Sequence, residues 1–364
     1  MTKHMFIHEL RAALAQVDPN AREEIIADIN EHFTEGAAQG LSEEDICRAL
    51  GQPGTIAAQV IEEMGAQTSP SPQAQAQQQQ GQQQNHHQQQ NRYEYRRGND
   101  LDMTFTGINL VIAKLEVSNL NLVPSHDGMF RVITRGCTNR ETCTVENEGG
   151  TLRVTLKRAR RFFNFGFSFD KDKVEVTIYV PVQFEGEIKV DTSAGNITAT
   201  DTCGDLDLDT SAGNVVVIGH RCNKAKIDTA AGNVTMRVAN NFVSHVDIDT
   251  SAGNVDFEAA ETGRLKIDTS AGSVNARITK ISGDTTLDTS AGSVTLTASE
   301  VAGNIKMDTS AGSIRAFLPI DVNCRIEARK PSVGSLHNEL AGNPNSPYVL
   351  RASSSVGSIQ LRPL

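Results

Sequence analysis

The sequence predicts a mainly β protein. A parallel β-solenoid of roughly 20-residue coils follows a small all-α helical domain and a disordered Gln-rich linker. Asp-Thr-Ser-Ala-Gly recurs from Asp191, Asp209, Asp249, Asp268, Asp288 and Asp308, with Asp-Thr-Ala-Ala-Gly at Asp228. Within each repeat apolar and polar residues alternate, the pattern of a half-buried strand. No segment between repeats is long enough for a crossover helix, which excludes ordinary βαβ units.

Residues 1–66 read as helices. Phe6, Leu10, Leu14 and Val17 recur at helical spacing. Asp18 followed by Pro19 suits an N-cap and first helical residue. Ile25, Ile26, Ile29 and Phe33 form the apolar stripe of that second helix, and Gly40 closes it. Ser42-Glu43-Glu44-Asp45 has capping-box spacing and leads into Ile46 and Leu50, with Gly51 as the stop. Pro53-Gly54-Thr55 opens a last helix through Ile56, Val60 and Ile61. The region holds twelve acidic and four basic residues, so eight of the chain's ten net negative charges sit here. Its solvated faces repel nucleic acid and suit a basic protein partner. His32, between Glu31 and Glu35, reads as part of a solvated face rather than as a metal ligand.

Residues 67–98 are low complexity, with Ser-Pro-Ser-Pro near the start, His86-His87 inside and Gln throughout. No apolar face can form, so this stretch is expected to be disordered. As a flexible coil it spans roughly 30 Å.

Residues 99–364 are assigned to the solenoid. Leu110, Ile112, Leu115, Val117, Leu120 and Leu122 mark irregular early strands, and Val174, Val176, Ile178 and Val180 alternate up to Pro181. The residue before each motif Asp is apolar: Val190, Leu208, Ile227, Ile248, Ile267, Leu287 and Met307. So is the residue two after each motif Gly: Ile197, Val215, Val234, Val255, Val274, Val294 and Ile314. In one repeat, Leu206, Leu208, Thr210 and Ala212 fall on one side, and Asp207, Asp209 and Ser211 on the other. Each coil is thus strand, Gly corner, strand and variable turn, stacked in register about 4.8 Å apart. Two degraded repeats, at 332–335 and 355–358, are expected to cap the stack, giving about nine coils.

Stacking places Asp191, Asp209, Asp228, Asp249, Asp268, Asp288 and Asp308 in one row, where like charges repel. Either each Asp accepts hydrogen bonds from Thr, Ser or backbone N–H at its own corner, or the row binds divalent cations. The denser Gly-Gly-x-Gly-x-Asp spacing of Ca²⁺-loaded solenoids is missing, so the row is read as a structural ladder and no metal or cofactor is assigned.

The net charge of −10 argues against a nucleic-acid binder. No run of eighteen apolar residues and no signal-peptide core is present, which predicts a cytoplasmic or membrane-associated protein, with the cell surface as the alternative. Six cysteines in a chain this long are not a disulfide framework, and buried or free thiols are expected. Cys203 and Cys222 each precede their motif Gly by ten residues and form a candidate disulfide between adjacent coils; Cys137 and Cys143 flank a short loop and form another.

The least repetitive surface is Lys157, Arg158, Arg160, Arg161, Phe162 and Phe163, followed by Phe165, Phe167 and Phe169. Basic residues beside aromatics suit an anionic membrane or envelope polymer. The structural alternative is a hairpin with Phe inward and Arg outward. No constellation for catalysis is assigned: His220, His245 and Arg264 look scattered.

The repeats, the strand at 173–181 and the final Gly-Ser-Ile-Gln-Leu resemble the bacterial putative-adhesin family of β-solenoids. Residues 1–66 resemble a small acidic helical signalling domain, through Glu-Glu-Ile-Ile at 23–26, Ser-Glu-Glu-Asp-Ile at 42–46 and Leu-Gly-Gln-Pro at 50–53. The pairing is similar to Lia-type envelope-stress proteins. These resemblances imply a non-enzymatic interaction protein linked to the cell envelope, with no catalytic residues. A self-assembling scaffold is the alternative, and a polysaccharide-acting β-helix enzyme a more distant one.

Overall fold

The computed structural model describes residues 1–38, 40–67, 91–94, 100–137, 141–158 and 174–364. They fall into two compact units, one helical and one of strands.

The helical unit contains α1 (Lys3–Ala13), α2 (Pro19–Ala38), α3 (Glu43–Leu50) and α4 (Pro53–Gln67). The Asp18 carboxylate accepts from the Ala21 N–H, and the Ser42 hydroxyl caps α3 by accepting from the Asp45 N–H. At the end of α2, Gly40 is left-handed at φ 80°, the Gly40 N–H donates to the Ala37 carbonyl, and the Leu41 N–H donates to Gly36. That is a Schellman closure, which needs a residue tolerant of positive φ. Phe6, Leu10, Leu14, Ile25, Ile29, Phe33, Ile56 and Val60 form the core, with the Phe6 and Phe33 rings edge-to-face at 5.7 Å. His32 is buried, not solvated. It follows Ile25 and Ile29 at helical spacing and so shares their inward stripe.

The strand unit is a parallel solenoid. From Glu187–Ala194 to Ile305–Ala311 each first strand pairs in register with the next, motif on motif: Asp209 beside Asp191 and Asp228, Asp268 beside Asp249 and Asp288. Second strands such as Val274–Ile281 and Val294–Val301 form a companion sheet. The apolar residues predicted before each Asp and after each Gly all face the core.

Glycine at the corner is imposed by the stack. A Cβ on Gly213, Gly232, Gly253 or Gly272 would sit 1.9 Å from the carbonyl oxygen of the motif Gly one coil earlier. Two hydrogen-bond ladders fasten the same corner. Each motif Thr points inward, and from Thr210 onward its hydroxyl donates to the preceding coil's Gly carbonyl: Thr250 to Gly232 at 3.3 Å, Thr269 to Gly253 at 3.1 Å, Thr289 to Gly272 at 2.9 Å. At the first rung Gly195 lies over Ser118, and the Thr192 hydroxyl is buried without a partner among the described residues. Beside the Gly, the Asn196, Asn214, Asn233 and Asn254 side-chain carbonyls each accept the backbone N–H one coil above, and Ser273 and Ser293 continue the row.

Two expectations are corrected. The motif Ala residues from Ala212 onward lie on the exposed face rather than the core face, because the chain bends after Thr and breaks the period-2 alternation. The motif Thr does not serve the Asp of its own corner, because its hydroxyl is engaged by the coil below.

Neither end of the stack follows chain order. Leu110–Ser125 lies between Thr151–Arg158 with Val174–Pro181 on one side and Glu187–Ala194 with Ile197–Thr200 on the other. Val349–Pro363 is likewise inserted between the 305–318 coil and the coil made by Arg325–Arg329 and Val333–Asn338. The degraded repeat at 355–358 is therefore an interior coil, and that at 332–335 is the end. Asn91–Glu94, read from composition as linker, form a strand antiparallel to 144–147. The rest of the linker, apart from Gln67, lies outside the described residues.

Gly272→Ala should cost about 3 kcal/mol, because the new methyl meets backbone rather than a movable side chain, whereas exposed Ser290→Ala should stay within about 0.5 kcal/mol; urea melts of both variants check this. Thr269→Val should cost about 1–2 kcal/mol by orphaning the Gly253 carbonyl. Thr192→Val, which removes a hydroxyl with no partner, should be neutral or stabilising in the same melts.

Candidate functional site

Repetition fails at one corner of the solenoid, and a groove opens there. Twenty-one residues separate Asp228 from Asp249, against eighteen between Asp191 and Asp209. The surplus shifts the register between Val238 and Phe242 and leaves Phe242 50% exposed. Phe242 lines a cavity of about 680 Å³ together with Gln183, Phe184, Glu185, Arg221 and Asn223. Two further cavities, of about 530 and 470 Å³, adjoin it, and Glu185 lines all three.

The floor is rigid. The Phe184 ring meets Phe130 edge-on at 5.0 Å. Gly186 and Gly204 make room for it, since a Cβ at either would fall within 2.7 Å of the ring. The Asp205 carboxylate accepts from the Asn223 and Lys224 N–H groups at 3.0 and 2.9 Å, tying two turns together. The Arg221 guanidinium donates to the Val182 carbonyl and remains exposed. The groove therefore offers an aromatic face, two amides, a carboxylate and a guanidinium on a fixed frame.

The groups that could suggest catalysis are engaged structurally. His220 is buried; its Nε2 donates to the Gly204 carbonyl, its Nδ1 lies 2.7 Å from the Thr202 hydroxyl, and burial holds its pKa down at about 4. His245 and Arg264 are adjacent rungs of one row rather than scattered. Among the described residues, no three His, Cys, Asp or Glu side chains are grouped to hold a metal ion.

Cys203 and Cys222 both border the main cavity, and both are free thiols. Cys203 stands opposite Arg221 rather than Cys222, so the turn is one residue out of the predicted stack. Burial raises both thiols, Cys222 to about 12, and Cys143 likewise to about 12. Cys137 and Cys143 are also free.

Of the basic and aromatic patch, Lys157 and Arg158 end strand Thr151–Arg158, while Arg160, Arg161, Phe162 and Phe163 lie outside the described residues, as do Phe165, Phe167 and Phe169. Arg158 is turned to the protein: its Nε lies 3.3 Å from the buried Glu141 carboxylate.

A family model described as Toastrack DUF4097 matches residues 110–361, more than half of the chain. The chain belongs to the Toastrack DUF4097 family. A second model, HAAS, matches residues 6–59. Among solved structures, the chain is similar to a putative adhesin from Bacteroides fragilis, at 15% identity and a TM-score of 0.36, over 73% of this chain and 97% of that one. It is also similar to a putative lipid binding protein from Parabacteroides distasonis, at 12% identity and a TM-score of 0.40, over 73% and 98%. No curated protein matches.

The Toastrack stack carries a second charged feature on its outer face. Two residues before the Asp row runs another row: Lys189, Asp207, Lys226, Asp247, Lys266, Thr286, Lys306 and Arg351. Its lysines offset the Asp repulsion: Lys306 lies 3.3 Å from Asp288 and 2.8 Å from Asp308, and Lys226 pairs with Asp228. Its signal in the sequence is the Lys or Asp two positions before every motif Asp except Asp288. The balance differs along the stack. Burial, then the Asp268 charge, raises Asp249; burial, then Asp228 and Asp191, raises Asp209. Asp308 is held down by Lys306 and by Ser353, which outweigh its burial.

A carboxylate raised in the fold binds its proton more tightly folded than unfolded. It therefore costs stability above its folded pKa and releases that cost as pH falls through it. A lowered one contributes stability above its unfolded pKa and loses it in acid. Asp249→Asn should accordingly stabilise at pH 7 by a few tenths to about 1 kcal/mol, and Asp308→Asn should destabilise. Denaturant midpoints at pH 7 and in the acid range check both signs, and the Asp249→Asn gain should vanish in acid.

Proposed function

We propose that this chain is a non-enzymatic interaction protein of the bacterial cell envelope, serving in envelope-stress signalling. The solenoid is its binding surface, and the acidic helical unit takes a basic protein partner. One observation carries the reading: where the register shifts between Val238 and Phe242, an open groove surrounds a half-exposed aromatic, while the histidine and cysteines beside it are buried. A surface aromatic ringed by Gln183, Glu185, Arg221 and Asn223 suits an extended envelope polymer laid along the corner. The helical unit adds a net charge of −8. Among the described residues no helix is long and apolar enough to cross a membrane. The envelope contact is assigned to the groove.

The test is cosedimentation of the purified full chain with isolated cell-wall sacculi, alongside vesicles of anionic lipid. Binding to the sacculi is expected. The double variant Phe242→Ala, Arg221→Ala should weaken it at least about tenfold, as loss of an aromatic and an Arg anchor does. A chain that stays in the supernatant with both materials at low salt sinks the envelope reading. Binding that the double variant leaves untouched removes the groove from it.

A further inference from the structure

The last coil of the solenoid is closed by the chain itself. At the outer edge of Arg325–Arg329 the Asn343 N–H donates to the Cys324 carbonyl at 2.8 Å, Gly342 packs against Ile326, and Leu340 is buried over the core. What this end leaves open is the outer face of its strands, and there the repeat changes character. The row that carries Asp from Asp191 to Asp308 continues as Ser353 and then Arg329. The neighbouring row of Ala continues as Val356 and then Val333, which stand side by side, 49 and 65% exposed.

The charge changes with it. Residues 314–364 hold six basic side chains (Arg315, Arg325, Arg329, Lys330, Arg351 and Arg362) against three acidic ones (Asp321, Glu327 and Glu339), a net +3 in a chain whose net charge is −10. Arg325, Arg329 and Arg351 are exposed on the outer face of the last two coils, and Lys330 follows at the corner. The carboxylates beside them are already engaged. Glu327 accepts from Arg351 at 2.9 Å, and Asp308 accepts from the Ser353 hydroxyl and pairs with Lys306 at 2.8 Å. Arg325, Arg329 and Lys330 form no ion pair among the described residues.

We propose that this outer corner is a docking surface for an anionic lipid bilayer. The three uncommitted cations are drawn to the negative surface of such a bilayer, each adding about fivefold to affinity. Val333 and Val356, beside them, enter the boundary between headgroups and acyl chains, and reversible attachment needs both kinds of contact because either one is weak by itself. The exposed Ser332 and Ser355 hydroxyls next to the valines suit lipid phosphate oxygens. A soluble polyanion would account for the cations alone. The adjacent exposed valines, at positions where the lower coils carry Ala, favour the bilayer. The groove around Phe242 belongs to coils further down the stack, so attachment at the end leaves it open, and the proposal holds whether or not that groove takes a polymer.

Cosedimentation of the full chain with lipid vesicles tests this. Binding is expected to vesicles that mix phosphatidylglycerol with phosphatidylcholine, falling as salt is added, and not to phosphatidylcholine alone. The triple variant Arg325→Gln, Arg329→Gln, Lys330→Gln should weaken it on the order of a hundredfold, and Val333→Ser with Val356→Ser roughly tenfold. All five side chains are exposed, so urea midpoints should stay at the wild-type value. The triple variant should match wild type in binding to cell-wall sacculi, which keeps failure of this surface distinct from failure of the groove. A wild-type chain that ignores the anionic vesicles, equal binding to the neutral ones, or a triple variant that binds like wild type overturns the proposal. So does a valine variant that binds like wild type, which would leave a site for soluble polyanions instead.

Discussion

The backbone of one motif glycine rests directly on the carbonyl of the one before it, with no room for a methyl between them. That contact fixes how far apart coils sit and forbids sliding, since a shifted coil would bring a Cβ into the corner. Register then follows for every other position. The Thr hydroxyl finds the carbonyl below it, the Asn amide finds the N–H above it, and the apolar side chains meet their own kind. The same constraint has a cost, because it also stacks carboxylates. The lysines two residues away offset this, most completely at Asp308 and less so at Asp249.

Much of this was legible in the sequence because a solenoid writes its fold as a period. The corner glycines and the apolar positions on either side are where the repeat places them. What was not legible depends on a neighbouring coil or on a bend. Ala212 and its equivalents face solvent because alternation holds only along a straight strand. The partner of Thr269 lies sixteen residues back in the chain, in the coil below, and no local pattern reveals it. His32 faces inward because it falls on the Ile25–Ile29 stripe, which its acidic neighbours in sequence do not reveal. Nothing in the order of repeats reveals that Val349–Pro363 slips beneath an earlier coil.

The groove is a different case. Its signal, the longer interval between Asp228 and Asp249, was in plain view, but an irregular spacing reads as noise until the surplus residues are seen to push Phe242 outward. In a repeat protein the regular rungs supply the frame, and individuality is left to the turns. The Toastrack family match, residues 110–361, spans frame and groove alike. The groove is built from three turns that share no motif, at 181–187, 201–205 and 219–224, and from one bulge.

The inserted coil near the end bears on how the protein is made. During translation the coils from Asp191 onward can dock as they emerge, each on a finished neighbour. The coil at 325–338 cannot, because the surface it rests on belongs to 349–363, which the ribosome delivers later. It must wait, tethered and unsupported, until its own foundation is threaded in beneath it. The far end has the same difficulty in milder form, since Leu110–Ser125 needs later strands on both flanks. Nucleation therefore belongs to the regular middle coils, and both ends are late, long-range events.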